Sequence, residues 1–367
     1  MENLFSQRRN ELMNALGNKQ VERVLILNPA NIFYYTGFLS DPHERFMGLY
    51  LDNKQNTAHF FVPALDQTAA AQASDIESII PISDEDNPYD VMKATIANID
   101  GNLGIEGNVL QYNQALQLEE KYKDIHLVDI QPATEKQRLQ KSPDEINKIQ
   151  AAIDLIEDVL TEGIKKVKPG MTEMALTAEL EYLMKTYGAD GPSFDTIALA
   201  GKNAALPHGV PGNTTIENGD MLLIDFGVIK DGYCSDITRT FAVGDVPQLH
   251  KDLYEIVLES NMAGIEAIKA GEPLKNFDIA ARDVIQKAGY GDYYHNRVGH
   301  GMGIEVHEAP SVHGANEDIA VPGMVFTIEP GIYIPGETGI RIEDDVYINP
   351  EGHCEVLTSF PKTLQVL

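Results

Sequence analysis

The sequence predicts a two-domain protein of the α/β (α+β) class, and three observations support this fold class. Its 367 residues exceed what a single hydrophobic core usually organises. Short apolar runs alternate with helical patterns up to about residue 130. Beyond that point, two helical patterns followed by a strand, a turn and a strand occur twice. We therefore expect one domain over residues 1–133 and a second over residues 134–367.

The first predicted domain is a small α/β unit. Apolar runs predict strands at 24–27, 48–51 and 59–62, and helical spacing predicts helices at 65–73 and 89–98. A charge-dense loop at 40–46, with Pro42 near its start, lies between apolar runs. Spacing alone indicates no catalytic group in this domain.

A helix start signal marks the second domain. Ser142, Pro143 and Glu145 form the pattern of a capping box with proline at the first helical position. A long amphipathic helix follows, and Thr172 is placed to cap the next one. A strand is expected at 194–199, and two more helices are expected at 246–270 and 274–288.

Composition and charge exclude several classes of partner. The chain has 56 acidic and 28 basic residues and a formal net charge of −28, which argues against nucleic acid and anionic membranes. The apolar runs are too short to span a bilayer. Cys234 and Cys354 are the two cysteines, too few for a disulfide framework. We expect a cytoplasmic protein.

Four acids stand at the ends of predicted strands. Asp225 follows an apolar strand, residues 230–232 predict a turn, and Asp236 lies on the returning arm. Glu329 and Glu343 have the same arrangement later in the chain. Because an unpaired buried carboxylate is costly, acids in such positions indicate a nearby cation, either an arginine or a metal ion.

His300 adds an imidazole to this set, in a glycine-rich segment that contains His307 seven residues later. Four carboxylates and one imidazole are too many donors for a structural zinc site and suit a pair of divalent ions, which would make the protein a hydrolase. Mn²⁺ is the expected metal, with Co²⁺, Fe²⁺ and Zn²⁺ as alternatives. A dinucleotide loop, a zincin helix and a kinase site are excluded because their partner motifs are missing.

These residues resemble the pita-bread metallopeptidases, a group that includes methionine aminopeptidase, Xaa-Pro aminopeptidase and prolidase. The resemblance covers residues 141–367. It is carried by Ile224-Asp225-Phe226-Gly227, Ser235-Asp236-Ile237-Thr238-Arg239-Thr240, Gly299-His300-Gly301, Val306-His307-Glu308 and Glu329-Pro330-Gly331-Ile332-Tyr333. The preceding domain resembles the creatinase/prolidase amino-terminal domain. The resemblance thus implies a creatinase-like domain followed by a pita-bread domain with pseudo-twofold halves. It also implies that the chain belongs to the proline-specific branch of these metallopeptidases.

The resemblance also implies roles for individual residues. The implied metal ligands are Asp225, Asp236, His300, Glu329 and Glu343. His208 and His307 would bind substrate and stabilise the tetrahedral intermediate, and Glu329 would also shuttle a proton. Thr238, Tyr333 and Arg341 would orient the ligands. The implied reaction is hydrolysis of the Xaa-Pro bond by a metal-bridging hydroxide, in a homodimer that acts on dipeptides or short peptides.

Two departures from the family pattern concern substrate binding. Asn296 stands where many proline-specific relatives have a histidine, and Ser311 stands where some prolidases have an arginine that holds the dipeptide carboxylate. Arg45 or His313 is the expected replacement anchor. His43 and Arg45 belong to a loop that resembles one in prolidases of lactic acid bacteria, where it reaches a substrate pocket. Xaa-Pro dipeptidase is the preferred function; Xaa-Pro aminopeptidase and a non-catalytic pita-bread binding protein are the alternatives.

Overall fold

A computed structural model describes residues 3–17 and 19–367 of the chain. These residues form two compact units, Met1–Gln137 and Arg138–Leu367. Each unit has its own buried apolar cluster. None of the helices in the described ranges is long and apolar enough to cross a membrane.

The amino-terminal unit is built on a six-stranded mixed sheet of order β4-β3-β2-β1-β5-β6. Its strands are β1 Arg23–Ile26, β2 Gly48–Asp52, β3 Thr57–Pro63, β4 Ser78–Ile82, β5 Gly101–Ile105 and β6 Ile125–Asp129. Its helices are α1 Leu4–Gly17, α2 Pro29–Thr36, α3 Gln67–Ala73, α4 Pro88–Thr95 and α5 Tyr112–Lys121, and α6 Gln131–Leu139 leads into the second unit. Strand β2 pairs antiparallel with both β1 and β3. The other pairs, β3 with β4, β1 with β5 and β5 with β6, are parallel.

Two pairs of helices shape the carboxy-terminal unit. They are α7 Pro143–Gly163 and α8 Glu173–Thr186, and later α9 Gln248–Glu266 and α10 Lys275–Lys287. The predicted capping box is present: Ser142 N–H donates to Glu145 Oε2 at 2.9 Å, and Glu145 N–H donates to Ser142 Oγ at 3.4 Å. Thr172 caps α8 by accepting a hydrogen bond from Ala175 N–H at 3.1 Å.

Each helix pair is followed by the strands that carry the predicted acids. After α8 come β7 Gly191–Pro192, β8 Ile197–Ala200, β9 Met221–Phe226, β10 Val228–Lys230, β11 Tyr233–Cys234 and β12 Ile237–Ala242. After α10 come β13 Gly299–Gly301, β14 Glu308–Val312, β15 Val325–Ile328, β16 Gly331–Ile334, β17 Thr338–Arg341, β18 Asp344–Ile348 and β19 Cys354–Val356. The order of helix, helix and hairpin therefore occurs twice.

Strand pairing brings the ends of these hairpins together. In the first half β9 pairs with β12 and with β8, and β10 pairs with β11 across the two-residue turn Asp231-Gly232. In the second half β15 pairs with β18, and β16 pairs with β17. Asp231 and Gly232 have φ of 50° and 77°, as a two-residue hairpin turn requires.

Most predicted elements are present, with shifted ends. The strand expected at 194–199 is Ile197–Ala200, because residues 193–194 form a bend and residues 195–196 are irregular. Ser193 Oγ donates to the carbonyl of Ser235 at 3.0 Å. The helix expected at 246–270 spans Gln248–Glu266, with Pro247 at its N-cap. Both cysteines are free thiols, as the sequence predicts.

Candidate metal centre

The four predicted acids lie where a strand ends or changes partner. Asp225 is the last residue but one of β9, and Asp236 lies between β11 and β12. Glu329 lies between β15 and β16, and Glu343 lies between β17 and β18. Because the two halves repeat this arrangement, the bends of both hairpins deliver carboxylates to the same cavity.

His300 lies at the centre of β13, and its two glycine neighbours explain why the backbone fits there. A Cβ on Gly299 would lie 1.8 Å from the carbonyl oxygen of Thr327, and one on Gly301 would lie 2.0 Å from that of Ala309. Only glycine permits such close approach of neighbouring strands. The motif Gly299-His300-Gly301 therefore lets His300 reach the carboxylates from a buried strand.

The donor atoms are close enough to share a cation. One ligand atom each from Asp236, His300 and Glu343 lies within 4.8 Å of the others. His300 Nε2 lies 3.4 Å from Glu329 Oε1 and 3.7 Å from Asp236 Oδ2. Oδ1 of Asp225 and Oδ1 of Asp236 are buried and lack a hydrogen-bond partner among the described residues. Orphaned carboxylate oxygens beside a neutral imidazole are the donor set that a divalent ion requires.

The electrostatics of the site also favour a cation. Burial, with Glu343 and Asp225 nearby, raises the pKa of Asp236 well above its ordinary value. Burial raises the pKa of Glu329 to about 7, although Arg341 opposes the rise. Burial and the neighbouring His307 lower the pKa of His300 to about 3, so the imidazole is neutral at pH 7. A bound divalent ion would reverse the repulsion among the carboxylates.

Thr238 and Arg341 hold two of these carboxylates in place, and Tyr333 bonds to Arg341. Thr238 donates its hydroxyl hydrogen to Glu343 Oε2 at 2.7 Å. Arg341 donates from its guanidinium to Asp225 Oδ2, to Tyr333 Oη at 2.7 Å and to Thr238 Oγ1 at 3.1 Å. All three side chains are buried. Second-sphere hydrogen bonds of this kind orient metal ligands.

The cavity around these groups has a volume of about 530 Å³, within the range of small-molecule sites. His208 and His307 line it, and the His307 ring packs edge-on against His300 with centroids 4.2 Å apart. The full lining comprises Phe194, Ile197, Pro207, His208, Asp225, Asp236, Asn296, Arg297, His300, His307, Glu329, Tyr333, Arg341 and Glu343. Phe194, Ile197 and Pro207 give one wall apolar character.

The sequence predicts that His43, Arg45 and His313 contact the substrate, with Arg45 or His313 as the carboxylate anchor. His313 accepts a hydrogen bond from Ala315 N–H at 3.2 Å and is not among the lining residues. His43 and Arg45 belong to the amino-terminal unit. Arg45 forms a two-point hydrogen bond with Asp84, at 2.7 and 3.1 Å. A role for these residues in substrate binding stays a prediction.

Two lining residues have no role assigned to them from the sequence. Asn296 marks a departure from the family pattern, and in the structure its amide donates to the carbonyl of Glu329 at 3.1 Å. Arg297 was missed altogether, although it lines the cavity and donates to Ser311 Oγ at 3.0 Å. The available signal was a cation three positions before the metal-binding histidine, in a site otherwise rich in acids.

Two protein families match successive parts of the chain. Residues 147–350 match the Metallopeptidase family M24, and residues 8–140 match the Creatinase/Prolidase N-terminal domain. The chain is 40% identical over 341 residues to the candidate dipeptidase YkvY of Bacillus subtilis (strain 168), covering 92% of this chain and 93% of that protein.

Solved structures agree over nearly the whole chain. An Xaa-Pro dipeptidase from Bacillus anthracis is 33% identical with a TM-score of 0.90, covering 99% of this chain and 100% of that one. An X-Pro aminopeptidase from Thermotoga maritima MSB8 is 33% identical with a TM-score of 0.86, covering 95% and 98%. The chain belongs to metallopeptidase family M24, with a creatinase/prolidase-type domain at its amino-terminal end.

Proposed function

We propose that this metallopeptidase is an Xaa-Pro dipeptidase, a prolidase, that uses two divalent ions to hydrolyse the bond before a carboxy-terminal proline. The observation that carries the proposal is Arg297. A dipeptidase must recognise the free carboxylate that lies one residue beyond the scissile bond, whereas an aminopeptidase acting on longer peptides need not. A cation in the cavity wall supplies that recognition.

Arg297 has the properties of a carboxylate anchor. Its Nη1 donates to Ser311 Oγ at 3.0 Å, and it forms no ion pair with an acid among the residues described. The other guanidinium that lines the cavity, Arg341, is already bonded to Asp225. The positive charge of Arg297 contributes to the lowered pKa of His307, after the larger effect of burial. Arg297 is therefore near the reacting groups and available to an anionic ligand.

This position compensates for the serine at 311. Ser311 pairs with His300 across β13 and β14, so the serine lies directly opposite the metal-site histidine. The family resemblance leads one to expect an arginine at that position. Here the guanidinium comes from Arg297, on the segment that leads into β13, and its tip ends at Ser311. A carboxylate anchor at nearly the same place thus supports dipeptide specificity.

The chain's own residues can perform the remaining steps. Asp225, Asp236, His300, Glu329 and Glu343 would hold the divalent ions, and the preponderance of oxygen donors favours Mn²⁺. When bound, the ions would lower the pKa of a water molecule and polarise the scissile carbonyl. His208 and His307 donate hydrogen bonds to the carbonyl oxygen as it gains negative charge. Glu329 carries a proton towards the proline nitrogen. The homodimer and the cytoplasmic location expected from the sequence remain part of this proposal.

A second candidate is Xaa-Pro aminopeptidase. The likeness to the Thermotoga maritima X-Pro aminopeptidase supports it. His208 and Arg297 are also exposed, so the rim of the cavity has room for a chain that continues beyond proline. A non-catalytic binding protein has no such support, because the donor set of the metallopeptidase site is complete.

Hydrolysis of Leu-Pro and of Leu-prolinamide by wild type and by Arg297→Met tests the anchor. The amide lacks the carboxylate, so the wild type should prefer Leu-Pro through a lower KM. Arg297→Met should raise the KM for Leu-Pro roughly 10- to 100-fold, the size of a charged hydrogen bond, and leave the amide unaffected. Arg45→Met is the matched control and should change neither substrate. An unchanged KM for Leu-Pro in Arg297→Met would refute the anchor, and a raised KM in Arg45→Met would transfer that role to Arg45.

A further inference from the structure

A buried ion-pair cluster lies directly beside His307. Glu308 has a side chain only 8% exposed, and it meets two cations: Arg138, near the end of α6, and Lys141, between α6 and α7. Lys141 Nζ lies 2.7 Å from Glu308 Oε1, and the Arg138 guanidinium donates to Glu308 Oε2. Arg138 also lies 2.9 Å from Glu305 Oε2. We name Arg138, Lys141 and Glu308 the Glu308 clamp.

The clamp has a fixed base. The backbone N–H of Lys141 donates to the carbonyl of Gly323 at 2.8 Å, and the next residue, Ser142, caps helix α7. Burial alone would raise the pKa of Glu308, but Lys141 and Arg138 lower it below its ordinary value. Glu308 is therefore charged at neutral pH and has a cation within ion-pair distance of each of its oxygens.

The segment held by the clamp has little regular structure of its own. Residues 303–307 form a series of bends between β13 and β14, and His307 is the last of them. The other fixed point is Cys234 on β11, whose N–H donates to the carbonyl of Gly303 at 2.7 Å. A Cβ on Gly303 would lie 2.6 Å from Glu308 Oε1, so the carboxylate packs directly on this bare backbone. The clamp at Glu308 and the backbone bond from Cys234 at Gly303 thus fix the two ends of the bends that carry His307.

We propose that Arg138 and Lys141 act as positioning residues, which hold Glu308 so that the neighbouring His307 faces the cavity in its working orientation. The inference rests on the proposed role of His307 in substrate binding. Buried ion pairs generally add little net stability, because desolvation offsets their attraction. The expected contribution of the clamp is therefore conformational, namely one fixed path for residues 303–308.

Two arginine variants separate positioning from general destabilisation. Arg138→Met removes one arm of the clamp. Arg23→Met removes an arginine of the amino-terminal unit that is equally buried and also bonded to two acids, Asp52 and Asp100. Arg138→Met should lower kcat roughly 10- to 100-fold, in the range seen when orienting residues are removed. Arg23→Met should leave kcat unchanged. Activity is assayed on Leu-Pro with Mn²⁺ added.

A double-mutant cycle shows whether the effect passes through His307. In a His307→Ala background, Arg138→Met should cost no more than about twofold in kcat, because the side chain being positioned is gone. A full additional loss in that background would overturn the proposal. Gly303→Ala is a second way to disturb the clamp, because the added methyl group must displace the Glu308 carboxylate. It changes no charge, and the backbone at Gly303 lies outside the left-handed region.

Hydrogen exchange tests the clamp without reference to activity. Amides of residues 303–308 should exchange roughly tenfold faster in Arg138→Met and in Gly303→Ala than in wild type or Arg23→Met. Equal exchange in all four proteins would overturn the proposal. If the wild type cleaves neither Leu-Pro nor a longer peptide, the proposed function fails, and this exchange measurement still decides whether the clamp holds the segment.

Discussion

Thr238 donates its hydroxyl hydrogen to Glu343 Oε2 at 2.7 Å, and this bond joins the two halves of the metal centre. Thr238 lies on β12, opposite Asp225 of its own hairpin, whereas Glu343 belongs to the hairpin of the second half. The same hydroxyl oxygen accepts a hydrogen bond from Arg341 Nε–H at 3.1 Å. One small side chain thus orients a carboxylate more than one hundred residues away in sequence.

Thr238→Val should weaken metal binding while leaving the fold intact. Valine keeps the shape of threonine but cannot donate to Glu343, so the apparent affinity for Mn²⁺ should fall roughly 10- to 100-fold. Isothermal titration calorimetry of the metal-free protein with Mn²⁺ measures this affinity. Thr240→Val is the matched control, because Thr240 lies two residues along the same strand and donates to the backbone carbonyl of Arg341 instead. Equal affinities for wild type and Thr238→Val would contradict the prediction.

Asp236→Asn should abolish turnover without unfolding the chain. Asp236 is 4% exposed, and its Oδ1 lacks a partner among the described residues. Asparagine fills the same space but removes the charge that a bound cation requires. Activity should fall at least about 100-fold, while thermal unfolding of the metal-free protein stays within a few degrees of wild type or rises. Near-wild-type activity would rule out the dinuclear site.

Metal binding should release protons near neutral pH. In the metal-free chain, burial raises the pKa of Glu329 to about 7, and burial with nearby Glu329 raises that of Glu343 well above its ordinary value. Raised values mean that these carboxylates hold protons that a cation must displace. Affinity for Mn²⁺ should therefore rise as the pH increases through about 7. His300, with a pKa of about 3, contributes no proton in this range.

Calorimetry in buffers with different ionisation enthalpies measures that release. The observed heat should depend on the buffer for wild type, and less so for Asp236→Asn, which has lost one of the carboxylates whose pKa burial raises. A heat independent of the buffer at pH 7 would contradict the prediction.

Local patterns in the sequence predict much of this molecule. The capping box of Ser142 and Glu145 marks the start of α7, and Asp231-Gly232 marks a hairpin turn. These signals involve residues a few positions apart, so short-range geometry determines them. The placement of acids at strand ends also indicated a cation, because carboxylates are rarely delivered to a core without one.

Contacts between distant segments could not be predicted in the same way. Arg138 and Glu308 are 170 residues apart, and their ion pair depends on how α6, α7 and β14 pack. Arg297 reaches Ser311 because β13 and β14 are paired. From the sequence, Ser311 indicated that the usual carboxylate anchor was missing, and Arg45 or His313 was the predicted replacement. The cation in the cavity wall became visible only from the strand register.

The most direct test of the proposed function compares two substrates on the metal-free enzyme with Mn²⁺ added back. One is the dipeptide Leu-Pro, and the other is a tripeptide with the same first two residues. Rapid release of proline from Leu-Pro, with little cleavage of the tripeptide, is the result that the Arg297 anchor predicts. Preferential release of leucine from the tripeptide would contradict it and would make this enzyme an Xaa-Pro aminopeptidase.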